Sequence, residues 1–436
     1  MNAIKVIGGG LAGCEAAWYL ANNDVKVELY EMRPEKNTPA HHTDKLAELV
    51  CSNSLRSNEL SNAAGLLKQE MRILNSLVIK AAELAKVPAG AALAVDREKF
   101  ASIITKIICQ HPNITLHIKE IDTVPESPAI VATGPLTSEK LSRALQEFFG
   151  SKYLYFYDAA APIVTRDSID FDIAFWGSRY NKGDNDYVNL PMTKDEYNNF
   201  YNQLITAEVN PLKEFEKAAF FEGCMPIEIM AKRGYKTLLF GPLKPVGIVD
   251  PKTEKEPFAV VQLRKENLNG DFFNIVGFQT GLKWPEQKRV FSMIPGLKKA
   301  EFIRYGFIHR NTFISSPRFL NSNLEVKNTK GLFFAGQITG VEGYIESAAS
   351  GIVAAVNMLR HLNGKDPLIF PRETIIGSLC NYITTANSDT FQPMKANFGI
   401  LPPISQRLKS KKDRNLLLSN RAIESIITFA SKNEIM

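Results

Sequence analysis

The first thirteen residues restrict this chain more than any other stretch. A short apolar run, Ile4 to Ile7, reads as a buried parallel strand. It runs into Gly8, Gly9, Gly10, Leu11, Ala12 and Gly13, a G-x-G-x-x-G turn, and then into the helical pattern Cys14-Glu-Ala-Ala-Trp-Tyr-Leu20. In such a turn the first glycine permits the tight bend, the second lets a pyrophosphate reach the backbone, and the third lets helix and strand pack closely. The phosphates then rest on free N–H groups at the positive end of the helix dipole. Val25 to Tyr30 reads as a second strand ending in Glu31, eighteen residues past Gly13, where a carboxylate can accept both ribose hydroxyls; Arg33 follows closely. Strand, turn, helix, strand and acid in this register predict a dinucleotide-binding α/β fold.

At 436 residues the chain can bury two cores, and its 45% hydrophobic and 22% charged residues are those of an ordinary globular enzyme. No apolar run approaches the ~18 residues of a membrane span, and no basic segment precedes the first apolar stretch, so neither membrane nor signal peptide is expected. The five cysteines (14, 51, 109, 224 and 380) are odd in number and form no C-x-x-C pair. That argues against a disulfide framework or zinc cluster and for a reducing, cytoplasmic setting. His41-His42 lacks a third ligand at suitable spacing, so no metal is expected. The net charge of +6 is uneven: Lys288, Arg289, Lys298, Lys299, Arg304 and Arg310 face only Glu301, and Arg407, Lys409, Lys411, Lys412 and Arg414 face only Asp413. Charge alone leaves two readings open, solvated faces or contacts to nucleic-acid phosphates.

Residues 57–85 have apolar residues at helical spacing, with Leu66, Leu67, Met71, Leu74, Leu77 and Val78 on the expected buried face. Asp96 to Gln110 reads as another helix, Thr115 to Ile121 as a strand, and Pro128 to Gly134 as a strand entering a turn at Thr133-Gly134. From about residue 166 polar, aromatic and proline-rich stretches interrupt the α/β rhythm, with short β-like runs at Thr237 to Phe240, Phe258 to Leu263 and Phe273 to Gly277. The rhythm returns at Lys330-Gly-Leu-Phe-Phe-Ala-Gly336-Gln337, where Gln337 stands in place of the aspartate many flavoproteins carry, and continues into a helix in which Gly351 suits close approach to a cofactor. The expected architecture is a two-dinucleotide-binding-type (Rossmann-like) FAD domain, residues 1–165 and 305–436 with C-terminal helices, holding a smaller inserted α+β domain at 166–304. Two glycine elements enclosing an insertion favour FAD over NAD as the tightly held cofactor.

Cys51 lies in the polar stretch Val50-Cys51-Ser-Asn-Ser and Cys224 in the turn Glu222-Gly-Cys224-Met-Pro226, whereas Cys14, Cys109 and Cys380 read as packing residues. With Gly277-Phe-Gln-Thr-Gly-Leu-Lys-Trp-Pro-Glu-Gln, Arg304-Tyr-Gly-Phe-Ile-His309-Arg310 and Gly336-Gln337-Ile-Thr-Gly-Val-Glu-Gly-Tyr344, these segments closely resemble the bacterial folate- and FAD-dependent tRNA (uracil-5-)-methyltransferases over essentially the whole length. The resemblance implies a T-loop uridine of tRNA as substrate, methylenetetrahydrofolate as carbon donor, FAD with NADPH or NADH as reductant, Cys51 and Cys224 as the catalytic pair, and no obligatory protein partner. Uracil C5 becomes nucleophilic only after something adds to C6, a task suited to a thiolate, and a base must later remove the C5 proton. Two cysteines can divide that work, or one can guard the flavin; the sequence leaves both open. Trp284, Tyr305 and Phe278 offer stacking surfaces for a flipped base or pterin, and Lys283, Lys288, Arg289, Lys298, Lys299, His309, Arg310, Lys411 and Lys412 offer charge for phosphate or folate carboxylates. The alternatives are the same chemistry on a ribosomal RNA loop, wobble-uridine modification as in the related, longer glucose-inhibited division protein A family, and a flavin oxidoreductase without an RNA substrate.

Overall fold

The computed structural model describes residues 3–38, 40–150, 154–181, 184–210, 225–406 and 410–435. A five-stranded sheet runs in the order Leu332–Phe334, Ala129–Val131, Ile4–Ile7, Val27–Glu31, Ile114–Ile118, with every neighbouring pair parallel. Its strands are apolar on both faces because both faces are covered. Val6, Leu29, Ile130 and Phe333 pack into one core, while Ile7, Ala129, Val131, Leu332 and Phe334 pack into another. The period of two along each strand thus divides one apolar run between two cores.

A second, six-stranded antiparallel sheet runs Phe175–Gly177, Tyr187–Met192, Ala259–Lys265, Phe272–Ile275, Ile163–Thr165, Phe302–Arg304. It packs its own core around Leu190, Val261, Phe273, Phe278 and Phe291. The strands Leu154–Ala160 and Phe307–Phe313, paired antiparallel, carry the chain from the first sheet to the second and back. No helix among the described residues is long and apolar enough to cross a membrane.

Two local expectations change. Thr237–Phe240, read as β-like, is one helical turn: the N–H groups of Leu239 and Gly241 bond back to the carbonyls of Lys236 and Leu238. Only Leu238 is buried there, while Phe240 is 80% exposed, so the alternation has no sheet to satisfy it. The 57–85 stretch forms two helices, Ala63–Ile73 and Leu77–Leu84, broken where Asn75 takes φ 63°. The predicted apolar face is intact, since all six of its residues are buried.

Buried carboxylates from distant helices start two others. Glu15 accepts from the Ser76 hydroxyl and from the N–H groups of Leu77 (3.1 Å) and Val78 (2.9 Å). Glu70 accepts from the N–H groups of Ile375 (2.8 Å) and Ile376 (2.9 Å), so the helix Ile375–Thr385 is capped by a residue 305 positions earlier. Those donors have no other use at a helix N-terminus, and the dipole favours an acid there. Burial nevertheless raises the Glu70 carboxyl from 4.5 to about 8, with the two N–H bonds opposing the rise. A folded-state pKa raised this way contributes stability that is complete below pH 4.5 and lost as pH rises through 8. We predict that Glu70→Leu costs about 1–3 kcal/mol of unfolding free energy by stranding two donors, and that Glu70→Gln costs less and flattens the pH dependence between 4.5 and 8. Denaturant unfolding across that range checks both; a variant whose pH profile matches wild type contradicts the assignment.

Candidate active site

A cleft opens at the carboxyl ends of the parallel strands, lined by Gly8, Gly10, Leu11, Ala12, Glu31, Arg33, Thr133, Gly134, Gly336, Gln337 and Tyr344. Ligands in open α/β sheets bind at this end. Two of the glycines stand in opposite surroundings. A Cβ on Gly13 would lie 1.8 Å from the Gly8 carbonyl oxygen, so this glycine lets helix and strand touch. A Cβ on Gly10 would meet nothing within 4 Å, so this one faces the open cleft, where added atoms would fill the space of a ligand. Gly10 caps the helix Leu11–Asn22 with no side chain, and the first turn holds no acid. Its leading N–H groups and dipole are therefore available to an anion.

Glu31 is spoken for in part. Its Oε2 accepts from the Gly9 N–H (3.0 Å), and its Oε1 accepts from the backbone N–H and the Nε of Arg33 (3.0 Å each). A carboxylate offers roughly four lone-pair sites, so one remains for a ribose where the sequence suggested two contacts. Arg33, 2% exposed, also reaches Glu48 at 3.2 Å and the Thr43 carbonyl. Thr133 shares a hydrogen with Thr137 (2.6 Å), and Gln337 donates to Glu342 (3.0 Å). Gly351 requires a correction. Its Cβ would lie 2.3 Å from the Ala12 carbonyl oxygen, so it sets the helix Tyr344–Leu362 against the first helix and takes no place in the cleft wall.

Beside the cleft, where Val50 is part of the wall, the loop carrying half-buried Cys51 is held from four directions. Tyr344 accepts at its Oη from the N–H groups of Cys51 (2.7 Å) and Ser52 (3.2 Å), and burial raises its phenol well above the usual range. Arg97 donates to the carbonyls of Leu49 (2.6 Å) and Cys51 (2.9 Å) and pairs with Glu266 (2.7 Å). Arg264, on the antiparallel sheet, donates to the Asn53 side chain (2.9 Å) and the Ser52 hydroxyl (3.0 Å). Arg304, on the same sheet, donates to the Val50 carbonyl; burial, with Arg97 nearby, lowers it to about 10. The Cys51 Sγ lies 3.5 Å from the Ala159 carbonyl. Sequence reasoning assigned no role to Tyr344, Arg97 or Arg264; the one signal within reach was Tyr344 at the end of the second glycine segment.

Cys224 lies outside the described residues. His309 and Arg310 lie on the strand Phe307–Phe313, opposite Asp158 and Tyr157, with their side chains outside the description. Trp284 is 61% exposed and stacks on Tyr305, whereas Phe278 is fully buried among Phe200 and Phe291 and offers no surface to a ligand. Lys288, Lys298, Lys299, Lys411 and Lys412 are exposed, while Lys283 pairs with Glu208 (2.6 Å) and Arg289 with Glu286 (2.7 Å). Lys411 and Lys412 begin the helix Lys411–Asn433, whose Asn415 and Ser419 donate to the carbonyls of Ser61 and Leu60. Cys14 and Cys380 are buried, and burial raises both thiols, that of Cys380 to about 12. Cys109, read as a packing residue, is exposed, because it falls on the outer side of the helix Arg97–Gln110. Among the described residues no group of three His, Cys, Asp or Glu side chains is placed to hold a metal.

A family model for glucose inhibited division protein A matches residues 3–366. The chain is 60% identical over 429 residues to the methylenetetrahydrofolate–tRNA-(uracil-5-)-methyltransferase TrmFO of Halalkalibacterium halodurans, covering 98% of this chain and 99% of that protein. It is 57% identical to the protein of the same name from Listeria innocua, with 98% of each covered. Among solved structures it is similar to GidA of Aquifex aeolicus, with a TM-score of 0.73 and 18% identity, covering all of this chain and 74% of that one. The last likeness shows the fold alone, and it agrees with the expected α/β architecture of the Rossmann type. By sequence along nearly its whole length, the chain belongs to the glucose-inhibited division protein A family and, within it, to the TrmFO methyltransferases.

Proposed function

We propose that this protein methylates C5 of a uridine in tRNA, at the T-loop, taking the carbon from methylenetetrahydrofolate with FAD in the cleft and NADPH or NADH as reductant. The observation that carries this reading is the Cys51 loop, pinned between the cleft wall and the antiparallel sheet by Tyr344, Arg97, Arg264 and Arg304. An oxidase that only passes hydride from a small molecule to the flavin has no use for a nucleophilic thiol, whereas addition to uracil C6 requires one. The cleft residues suit FAD: Gly10 and the uncapped helix would receive the pyrophosphate, the remaining site on Glu31 a ribose hydroxyl, and Gln337 a hydroxyl of the ribityl chain. Bound there and reduced by the nicotinamide, the flavin would supply the two electrons that take a methylene-level carbon to methyl.

The chain's own part is covalent and acid–base. One thiolate of the Cys51 and Cys224 pair adds to uracil C6, and the electron pair moves to make C5 nucleophilic. After the carbon bonds to C5 and its bond to the nitrogen that carried it breaks, the other thiolate removes the C5 proton and the C6–S bond breaks, restoring the ring. The clamps on the loop hold Cys51 Sγ at a fixed place, which conserves the entropy a free loop would lose on reaching the base.

Three outcomes test this. Gly10→Val should fold, since its Cβ meets nothing, yet bind little FAD; a variant with wild-type circular dichroism and full flavin absorbance contradicts the cleft assignment. Single Cys→Ala changes at 51 and 224 should keep FAD and lose tRNA methylation, while Cys14, Cys109 and Cys380 tolerate replacement; full turnover by either of the first two removes that residue from the catalytic pair. Replacing Lys298 with Lys299, or Lys411 with Lys412, by alanine should flatten the salt dependence of tRNA binding by about 0.7–0.9 in slope for each phosphate no longer neutralised. Unchanged slopes in both double variants place the RNA elsewhere.

A further inference from the structure

Outside the cleft, three aromatic rings form a short ladder. Phe302 stacks on Tyr305 with centroids 5.4 Å apart and planes 11° from parallel, and Tyr305 stacks on Trp284 at 5.4 Å and 13°. The ladder ends on an indole that is 61% exposed. Single exposed aromatics are ordinary on protein surfaces. A run of near-parallel rings ending in an open indole face is a flat, polarisable surface built to accept one more flat ring.

The ladder is rigid. Gln287, fully buried, donates to the carbonyls of Leu282 (2.7 Å) and Gly306 (2.8 Å) and accepts from the Gly306 N–H (2.7 Å). It therefore ties the helix Trp284–Phe291 to the turn just after Tyr305. A Cβ on Gly306 would lie 2.7 Å from the Ala160 carbonyl oxygen, which fixes that turn against the crossing strands. The ladder also lies next to the chemistry: Arg304, between its two inner rings in sequence, donates to the Val50 carbonyl beside Cys51.

Its electrostatic surroundings suit a polyanion. Lys288 stands one helical turn from Trp284 on the same face of the helix, exposed and without an ion pair among the described residues. Lys298 and Lys299, also exposed and unpaired among the described residues, precede the strand that carries Phe302. Lys283 and Arg289 are already matched by Glu208 and Glu286 and add no net charge.

We propose that Trp284, backed by Tyr305 and Phe302, is the stacking platform for an unpaired nucleobase of the RNA that Cys51 acts on. Lys288, Lys298 and Lys299 contact the phosphates flanking that base. The inference rests on the methyltransferase reading above. A nucleobase fits better than a pterin because the ladder takes no part in the cleft wall, and the three exposed lysines on its helix and just before its strand offer the charge that phosphates flanking a base require.

The test uses the FAD-loaded full chain with Trp284→Ala, Trp284→Leu and Trp284→Phe, and measures affinity for unmodified tRNA and for tetrahydrofolate over a salt series. Because Trp284 is largely exposed, all three variants should retain bound flavin. Alanine and leucine should weaken tRNA binding by about 5- to 150-fold, phenylalanine should restore most of it, and the salt slope should stay at its wild-type value because stacking releases no counterions. Trp284→Ala and Trp284→Leu that bind tRNA like wild type overturn the platform. So does a loss confined to tetrahydrofolate, which makes the ladder a pterin site. A wild-type protein that binds no tRNA overturns the functional reading itself, and the platform with it.

Discussion

The approach of two helices fixes everything else in the site. Leu11–Asn22 and Tyr344–Leu362 touch at Gly351, where any side chain would enter the Ala12 carbonyl, and the turn at Gly336 packs on the first of them, where an added Cβ would lie 3.2 Å from that of Ala12. Ser350 strengthens the junction by accepting from the Gly336 N–H at 2.7 Å. Without this spacing the first and last parts of the chain could not share one cleft wall. The second helix also begins at Tyr344, so its position determines where the hydroxyl that holds the Cys51 and Ser52 amides stands. A backbone approach between two small residues therefore reaches the reactive thiol through one ring.

The second support is electrostatic and joins the two sheets. Arg97 belongs to the helix Arg97–Gln110, while Arg264 and Arg304 belong to the antiparallel sheet, and all three converge on residues 49–53 with Glu266 as the nearby acid. Guanidinium groups spent on backbone carbonyls and side-chain oxygens hold a loop without supplying it a fold of its own. Removing one would strand buried acceptors, a cost of about 1–3 kcal/mol apiece, and would also free the loop. Stability and thiol placement are coupled here, which explains why a polar loop sits at the junction of two apolar cores.

Local features of this molecule were legible in the sequence. The glycine turn, the helix after it and the strand ending at Glu31 are defined within a few residues, and Gly13 packs helix against strand as its position suggests. Long-range use of a side chain was not legible. Gly351 carries the same small-residue signal whether it faces a cofactor or a helix, and it faces a helix. Glu31 matches the ribose-binding pattern, but nothing in the pattern shows that Gly9 and Arg33 claim most of its lone pairs. Tyr344 is 293 residues from the amide it holds, and Arg264 is 211 from Asn53. Cys109 failed for a simpler reason, since one helical register decides whether a thiol is packed or exposed.

In the proposed reaction the carbon of methylenetetrahydrofolate reaches C5 of a T-loop uridine at this site. This transfer is tested most directly by supplying the FAD-loaded protein with unmodified tRNA, a reduced nicotinamide and methylenetetrahydrofolate labelled at the methylene carbon, then mapping the label by mass spectrometry of RNA fragments. One labelled methyl per tRNA is expected, on C5 of a single T-loop uridine. Label absent from tRNA, or found only on a ribosomal RNA or an anticodon-loop uridine, contradicts it.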